Sequence, residues 1–383
     1  MTGSRPAVVY GLLWAGLSLA RALGRAGVRV TGIASDRNDF GLRSRYLAER
    51  HLTREDDDER TLSLLKKAAR NERPILFPER DENVHFVVRR WDEVRELADV
   101  PLPDDLETVL RLRRKDRLRA EAIRAGISIP GTAFPADEAE LRSLDFPPPY
   151  LIKAVTGQEL AYSFGHKVFF AADVDAAATF WAKARERGFE TVVQEFIPNA
   201  YDRIYSLFSY VGVDGRPLAN VVGRKVRQGP LRFGTSAVFL VQPEPRVLDG
   251  GLRLLESVGY RGFAQVEFAY DERDDEFKVL EVNTRPPMWA GVAMSRYFDI
   301  ARIAYDDLSG RPPREPQTFT DEVAWVYFAK DAWVGLQMLR ARELSPREFL
   351  SPYLRRRKVA STLAVDDPLP AVASLRYLRS KLA

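Results

Sequence analysis

The stretch FAQVEFAYDERDDEFKVLEVNTRP, Phe263 to Pro286, decides the fold. Two apolar, strand-like runs flank the strongly polar DERDDE, which gives the composition of a hairpin. With the turn centred on Asp274, Glu267 faces Glu281 and Gln265 faces Asn283. Side chains alternate along a strand, so these four share one face. Val266, Phe268, Leu280 and Val282 form the other face and need a core. Two carboxylates opposed in otherwise apolar strands repel unless a cation lies between them, and hard oxygen ligands of this kind suit Mg²⁺. The alternative is that both glutamates point to solvent from an edge hairpin. The apolar opposite face, and Arg285 immediately downstream, weigh against it.

Upstream, the triplet Pro147 to Pro149 leads into YLIKAV (Tyr150 to Val155), a strand with Lys153 at its middle. A buried ammonium without a partner is costly, so this lysine needs an explanation. Further strands are predicted at Lys167 to Phe170, Thr191 to Ile197, Ile204 to Val211, Ala219 to Val222 and Ala237 to Val241, with helices at about Val174 to Arg187 and Gly250 to Val258. Strand runs with helices set apart suggest an α+β part. The first 110 residues differ. Ala7 to Tyr10, Gly11, the Ala- and Leu-rich Leu17 to Ala26 and then Val28 to Ile33 read as strand, glycine turn, helix, strand, the βαβ half of an α/β nucleotide-type fold. The same apolar opening superficially resembles a secretory signal, but the residues after it continue one structural unit. Its glycines stand as Gly11-x4-Gly16, which is not the spacing that admits a pyrophosphate, and a tight turn with close helix packing accounts for them.

A chain of 383 residues with 45% hydrophobic content exceeds one compact core and implies two or three domains. Its 58 basic and 54 acidic residues nearly cancel, so no nucleic acid or other polyanionic partner is expected, and Arg355 to Lys358 reads as a solvated face. No cysteine is present, and three histidines do not make a histidine-rich metal centre. No stretch approaches the roughly 20 apolar residues that span a bilayer, so no membrane partner and a cytoplasmic location are expected.

EVNTR, Glu281 to Arg285, following Glu267 by fourteen residues, resembles the metal-binding strand pair of the ATP-grasp superfamily, to which biotin carboxylase, carbamoyl-phosphate synthetase and D-alanine:D-alanine ligase belong. The resemblance runs in order over about residues 1 to 310 and is nearest the carboxylate-amine ligase branch. It implies a Rossmann-like pre-ATP-grasp domain over 1–110, then a two-lobed ATP-grasp domain. Its small lobe and linker helices would occupy 111–192 and its large lobe 193–310, with a C-terminal extension over 311–383. By the same resemblance Glu267, Glu281 and Asn283 hold the metal, and Arg285 addresses the phosphoryl group. Lys115 (RRKDRL) and Lys153 bind the nucleotide. The backbone of Glu195 and Ile197 in VVQEFIPN pairs with the adenine edge, helped by the Gln194 or Glu195 side chain, and Asp202 holds the ribose. Arg224 and Lys225 in GRKVRQGP supply the basic group near the γ-phosphate, and Gly234 lets a substrate approach the backbone. Asp36, Gly41 to Tyr46 and Glu79 to Glu82 would face the site from the first domain. The lid VTGQELAYSFGHK lacks a glycine-rich phosphate loop, a departure from the family pattern.

What the resemblance implies is a ligase using ATP and Mg²⁺, with two ions expected and Mn²⁺ as a substitute. It would join a small-molecule carboxylate to an amine through an acyl phosphate, and a homodimer is compatible with it. The sequence leaves two rivals in view: a nucleotide-binding sensor or scaffold without turnover, and an NAD(P)-dependent oxidoreductase built on the opening βαβ unit.

Overall fold

Ala7–Tyr10, Val30–Ala34 and Ile75–Pro78 are buried at every position, as strands covered on both faces must be. With Leu47–Leu52 they form a four-stranded parallel sheet in which Ala7–Tyr10 lies between Val30–Ala34 and Ile75–Pro78. The helix Trp14–Arg25 crosses from the first strand to the second, completing the α/β opening expected from the sequence. These observations come from a computed structural model that describes residues 4–155, 159–165, 168–231, 234–312 and 314–382.

A second, antiparallel sheet is ordered Thr132–Ala133, Thr191–Glu195, Tyr150–Ala154, Val168–Ala171. The helix Val174–Glu186 covers it through Ala177, Phe180 and Trp181, which share a core with Tyr150, Ile152 and Val193. Thr191–Glu195 is an interior strand of this sheet, so a lobe boundary at residue 192 would cut through it. The lid contains a short helix, Glu159–Phe164, while its residues 156–158 and 166–167 lie outside the described residues.

The third sheet carries the hairpin. Its order is Glu276–Asn283, Gly262–Asp271, Ile204–Val211, Pro217–Gly229, Thr235–Val241, Ala324–Val326, Lys358–Ala360, with Gln317–Phe319 paired to Pro217–Gly229. Three of these strands come from beyond residue 310, so the extension completes the large sheet. The strand Ala324–Val326 is short because Phe328 opens the helix Phe328–Arg340. One continuous core joins the first domain to this sheet, from Leu19 and Phe77 through Phe208 and Phe263 to Trp289, whose ring stacks on Phe239 at 3.6 Å.

The C-terminal residues are also clamped to the first domain. Asp367 accepts from Arg21 at 2.9 Å and from the Ser44 hydroxyl at 2.7 Å, and Asp366 accepts from both arms of Arg25 at 2.8 Å and from Tyr46 at 2.6 Å. The polar groups of Ser44 and Tyr46, and the Arg45 backbone N–H, are thereby engaged within the protein. In the basic run, Arg355 pairs with Glu322 at 2.7 Å and Arg357 with Asp321. Among the described residues, no helix is long and apolar enough to cross a membrane.

Candidate active-site cleft

The hairpin register is Gln265 opposite Asn283, Val266 opposite Val282 and Glu267 opposite Glu281, as the alternation required. It is reached by a different route than a turn centred on Asp274. The closing pair is Asp271 with Glu276, and a bulge at Leu280 restores the expected register before the glutamates. The bulge also re-aims side chains. Val279 joins Val266, Phe268 and Val282 in the core, whereas Leu280 packs with Ile197 and Ile204, so Leu280 does not share the face expected for it. The acidic turn holds itself together, with Lys278 donating to Asp271 at 2.7 Å and pairing with Asp274 at 2.7 Å.

The polar face of the hairpin forms one wall of a cleft of about 330 Å³, to which both the small sheet and the large sheet contribute. Lys225 grips Glu267, with Nζ 2.9 Å from Oε1 and 2.8 Å from Oε2. Burial raises the Glu267 pKa, Lys225 opposes that, and the facing Glu281 adds to it. For Glu281 burial also works against the charge, but Lys225, Lys115, the Asn283 amide at 3.0 Å and Lys153 outweigh it and lower its pKa. The two carboxylates therefore titrate as a pair, with Glu281 the more acidic member. Lys153 enters from the small sheet and donates to Gln194 Oε1 at 2.6 Å. Burial and then the neighbouring Lys115 pull its pKa down to about 8, against the attraction of Glu281 and Glu267. Lys115 begins the helix Lys115–Arg124, whose start is tied to the small sheet by its backbone N–H bonding the Val155 carbonyl at 3.3 Å. The apolar lining of the cleft includes Ala154, Val168, Ile204 and Leu280, of which Ile204 and Leu280 pack with Ile197.

Lys115, Lys153, Lys225, Glu267, Glu281, Asn283, Arg285 and Gly234 thus line one cleft. Arg224 does not. Adjacent residues of an extended strand face opposite sides, and Arg224 lines a separate cavity of about 480 Å³ with Asp202, its Nε donating to Gln242 at 3.1 Å. The pairing of Arg224 with Lys225 at one phosphate, and the grouping of Asp202 with the cleft residues, are both corrected. Glu195 is also otherwise engaged. Its backbone N–H bonds the Gly131 carbonyl at 2.7 Å, and its carboxylate accepts from the Gly131 N–H at 3.0 Å and from Arg273 at 2.5 Å. Gln194 serves to hold Lys153 from the neighbouring strand.

Sequence reading alone did not single out Arg113, Gln228, Ile204 or Trp289 as parts of the cleft. Ile204 and Trp289 look like core residues, and Arg113 is one of several in a basic run. The described residues contain no group of three or more His, Asp or Glu arranged to hold a metal ion. Glu267, Glu281 and Asn283 offer two carboxylates and one amide, a set suited to a hard cation that completes its sphere with water and phosphate.

The glycine turn after the first strand is closed to an anion. Glu79 Oε2 accepts from the Leu13 N–H at 2.7 Å and Oε1 from the Ala15 N–H at 2.9 Å, so a buried carboxylate occupies the start of the helix Trp14–Arg25, where a dinucleotide would place its pyrophosphate. A Cβ on Gly11, which has φ +93°, would lie 2.5 Å from the Asn83 Oδ1, and one on Gly16 would lie 2.0 Å from the Gly11 carbonyl oxygen. Close packing is what these glycines permit, and the oxidoreductase rival loses its cofactor site. Glu79→Ala leaves two buried N–H groups unpaired and is expected to cost about 2–4 kcal/mol in urea unfolding. A loss under 1 kcal/mol would show that the helix start is satisfied otherwise.

No family model matches the chain. Among characterised proteins, 120 residues are 26% identical to a D-aspartate ligase of Enterococcus faecium, covering 31% of this chain and 28% of that protein. A further match, 184 residues at 27% identity, is to a D-alanine–D-alanine ligase of Gluconobacter oxydans, covering 46% of this chain and 59% of that one. The chain thus spans about a quarter and somewhat over half of these relatives. Among solved structures, a biotin carboxylase–β,γ-ATP complex from Campylobacter jejuni aligns with a TM-score of 0.64 at 16% identity, over 81% of this chain and 72% of that one. An ADP complex of N5-carboxyaminoimidazole ribonucleotide synthetase aligns at 0.64 and 14% identity, over 90% and 86% of the two chains. An L-amino acid ligase from Bacillus licheniformis aligns at 0.59 and 16% identity, over 82% and 76%.

Proposed function

The chain has the ATP-grasp fold, and from that premise we propose that it is a magnesium- and ATP-dependent ligase that activates a carboxylate as an acyl phosphate and joins it to an amine. The observation that carries this reading is the convergence of Lys115, Lys153, Lys225 and Arg285 with the opposed pair Glu267 and Glu281 in one cleft. Phosphoryl transfer to a carboxylate oxygen needs alignment and charge neutralisation more than a protein nucleophile, and that is what such a set offers. The apolar lining residues Ala154, Val168, Ile204 and Leu280 would receive the adenine, and the lysines would hold the phosphates. Glu267, Glu281 and Asn283 would hold magnesium, which when bound neutralises charge on the phosphate oxygens. Lys225, already engaged by Glu267, stands beside that pair to meet the terminal phosphate.

In the reaction, a carboxylate oxygen attacks the γ-phosphorus and ADP leaves. The amine then attacks the acyl carbon, phosphate departs and the amide forms. An ADP-release screen over paired acids and amines would identify substrates. With the responding acid labelled with ¹⁸O in its carboxylate, one label is expected in the released phosphate. Label in AMP, or pyrophosphate as a product, would exclude the acyl phosphate route. Magnesium-dependent thermal protection by ATP is expected even without the other substrates, since a ligand binding only the native state adds RT ln(1 + [L]/Kd) to stability. Protection by NAD and none by ATP would overturn the proposal.

A further inference from the structure

Arg285 is held from another part of the molecule. Its Nη2 lies 2.8 Å from Oδ2 of Asp81, 204 residues away in sequence, and 3.3 Å from Oδ1 of Asn283. The second oxygen of Asp81 lies 3.0 Å from Nη1 of Arg113, and Arg113 Nη2 lies 2.9 Å from the Nε2 of His85. Asp81 is the first residue of the helix Asp81–Arg89, two residues beyond Glu79 and close after the strand Ile75–Pro78, so its backbone is fixed by the first domain. Arg113 ends the helix Leu106–Arg113, which contacts the strand Glu276–Asn283. Asp81, Arg113 and Arg285 all line the cleft. Burial opposes the charge on Asp81, but Arg285 and Arg113 hold it well below the usual carboxylate range, so the bridge is fully ionised at neutral pH. The Arg285 Nε is buried and has no hydrogen-bond partner among the described residues. A buried N–H of a guanidinium left unmatched is costly, so the orientation of Arg285 is imposed by its partners on the other two nitrogens.

We propose that Asp81, braced by Arg113, is a positioning residue that fixes the Arg285 guanidinium so that its charge faces the phosphoryl group in flight, making the first domain an electrostatic part of the transfer site. This rests on the ligase reading above. A short carboxylate on a helix start has little room to swing, and with Asp81 and Asn283 on Nη2 and the Pro286 carbonyl accepting from Nη1 at 3.3 Å, the guanidinium is held in one orientation at the cleft wall. The geometry is set before any ligand binds, as preorganised stabilisation of a developing charge requires. The ground-state nucleotide gains little from it, because lysines already hold the resting phosphates.

The test separates the ground state from a mimic of transfer. Binding of Mg·ATP, and of Mg·ADP with and without fluoroaluminate, is measured by calorimetry for the wild-type chain, Asp81→Asn and Asp81→Ser, the last retaining a residue suited to a helix start should the amide fold poorly. In the wild type, fluoroaluminate is expected to tighten ADP binding at least about tenfold, one tenfold step being 1.36 kcal/mol. In both variants that tightening is expected to vanish while the Kd for Mg·ATP stays within about twofold, a split that a merely structural role would not produce. Arg113→Lys should retain part of it. Tightening in Asp81→Asn or Asp81→Ser equal to wild type, or none in the wild type, overturns the inference. Absence of Mg·ATP binding in the wild type would instead overturn the ligase reading.

Discussion

Glu281→Gln is expected to lower ADP release with the responding acid and amine by roughly two to three orders of magnitude, the scale of losing one charged contribution to a transition state in a closed site. The physical reason is the pairing across the hairpin. Glu267 is already neutralised by Lys225 at 2.8 Å, which leaves Glu281 as the more acidic of the two carboxylates. An amide of the same shape preserves the strand and the bulge but halves the negative charge facing a divalent ion. The fold should survive with little change in Tm, because the variant loses attraction to Lys225, Lys115 and Lys153 and also loses repulsion from Glu267. Raising magnesium should restore part of the rate, since weaker binding is answered by mass action. Wild-type turnover at low magnesium would remove Glu281 from the metal site.

Lys153→Met is expected to do two opposite things: stabilise the nucleotide-free protein near neutral pH, and abolish protection by Mg·ATP. In the folded chain Lys153 has its pKa pulled from 10.5 to about 8 by burial and by Lys115. A proton is thus bound less tightly in the native state than in the unfolded one, and stability rises with pH between those two values. Below about 8 the native state carries the whole cost of the buried cation, and above about 10.5 none of it. Deleting the charge should therefore gain roughly 1–2 kcal/mol at pH 7, after allowance for the lost bond to Gln194 and for water reaching the cleft. The gain over wild type should fade as pH rises through this window. Adding Mg·ATP should reverse the order, because ATP at about 100 times Kd adds roughly 2.7 kcal/mol to the wild type and, in the absence of this lysine, far less to the variant. Thermal melts at pH 7 and pH 10, with and without Mg·ATP, read both effects. A variant that melts below wild type at pH 7, or keeps full protection by ATP, would contradict the argument.

Strand periodicity carried much of the cleft. Because side chains alternate with period two, Gln265, Glu267, Glu281 and Asn283 were bound to share a face once the acidic turn was recognised, and Lys153 declared itself as a cation in an apolar strand. The same rule separates Arg224 from Lys225, since neighbours on one strand cannot both serve one phosphate. Other features could come only from the folded chain. The bulge at Leu280 depends on how the turn closes and on what Val279 and Leu280 pack against, and local pattern does not encode that balance. Three-residue strands such as Ala324–Val326 and Lys358–Ala360 are too short to show a period and exist because the open edge of the large sheet accepts them. Glu79 filling a helix start, and Asp81 bracing Arg285 across 204 residues, are charges indistinguishable from solvated ones until the chain folds. Sequence determined which residues could share a face. Tertiary structure decided which charges meet, because electrostatic pairing is set by distances that chain separation does not fix.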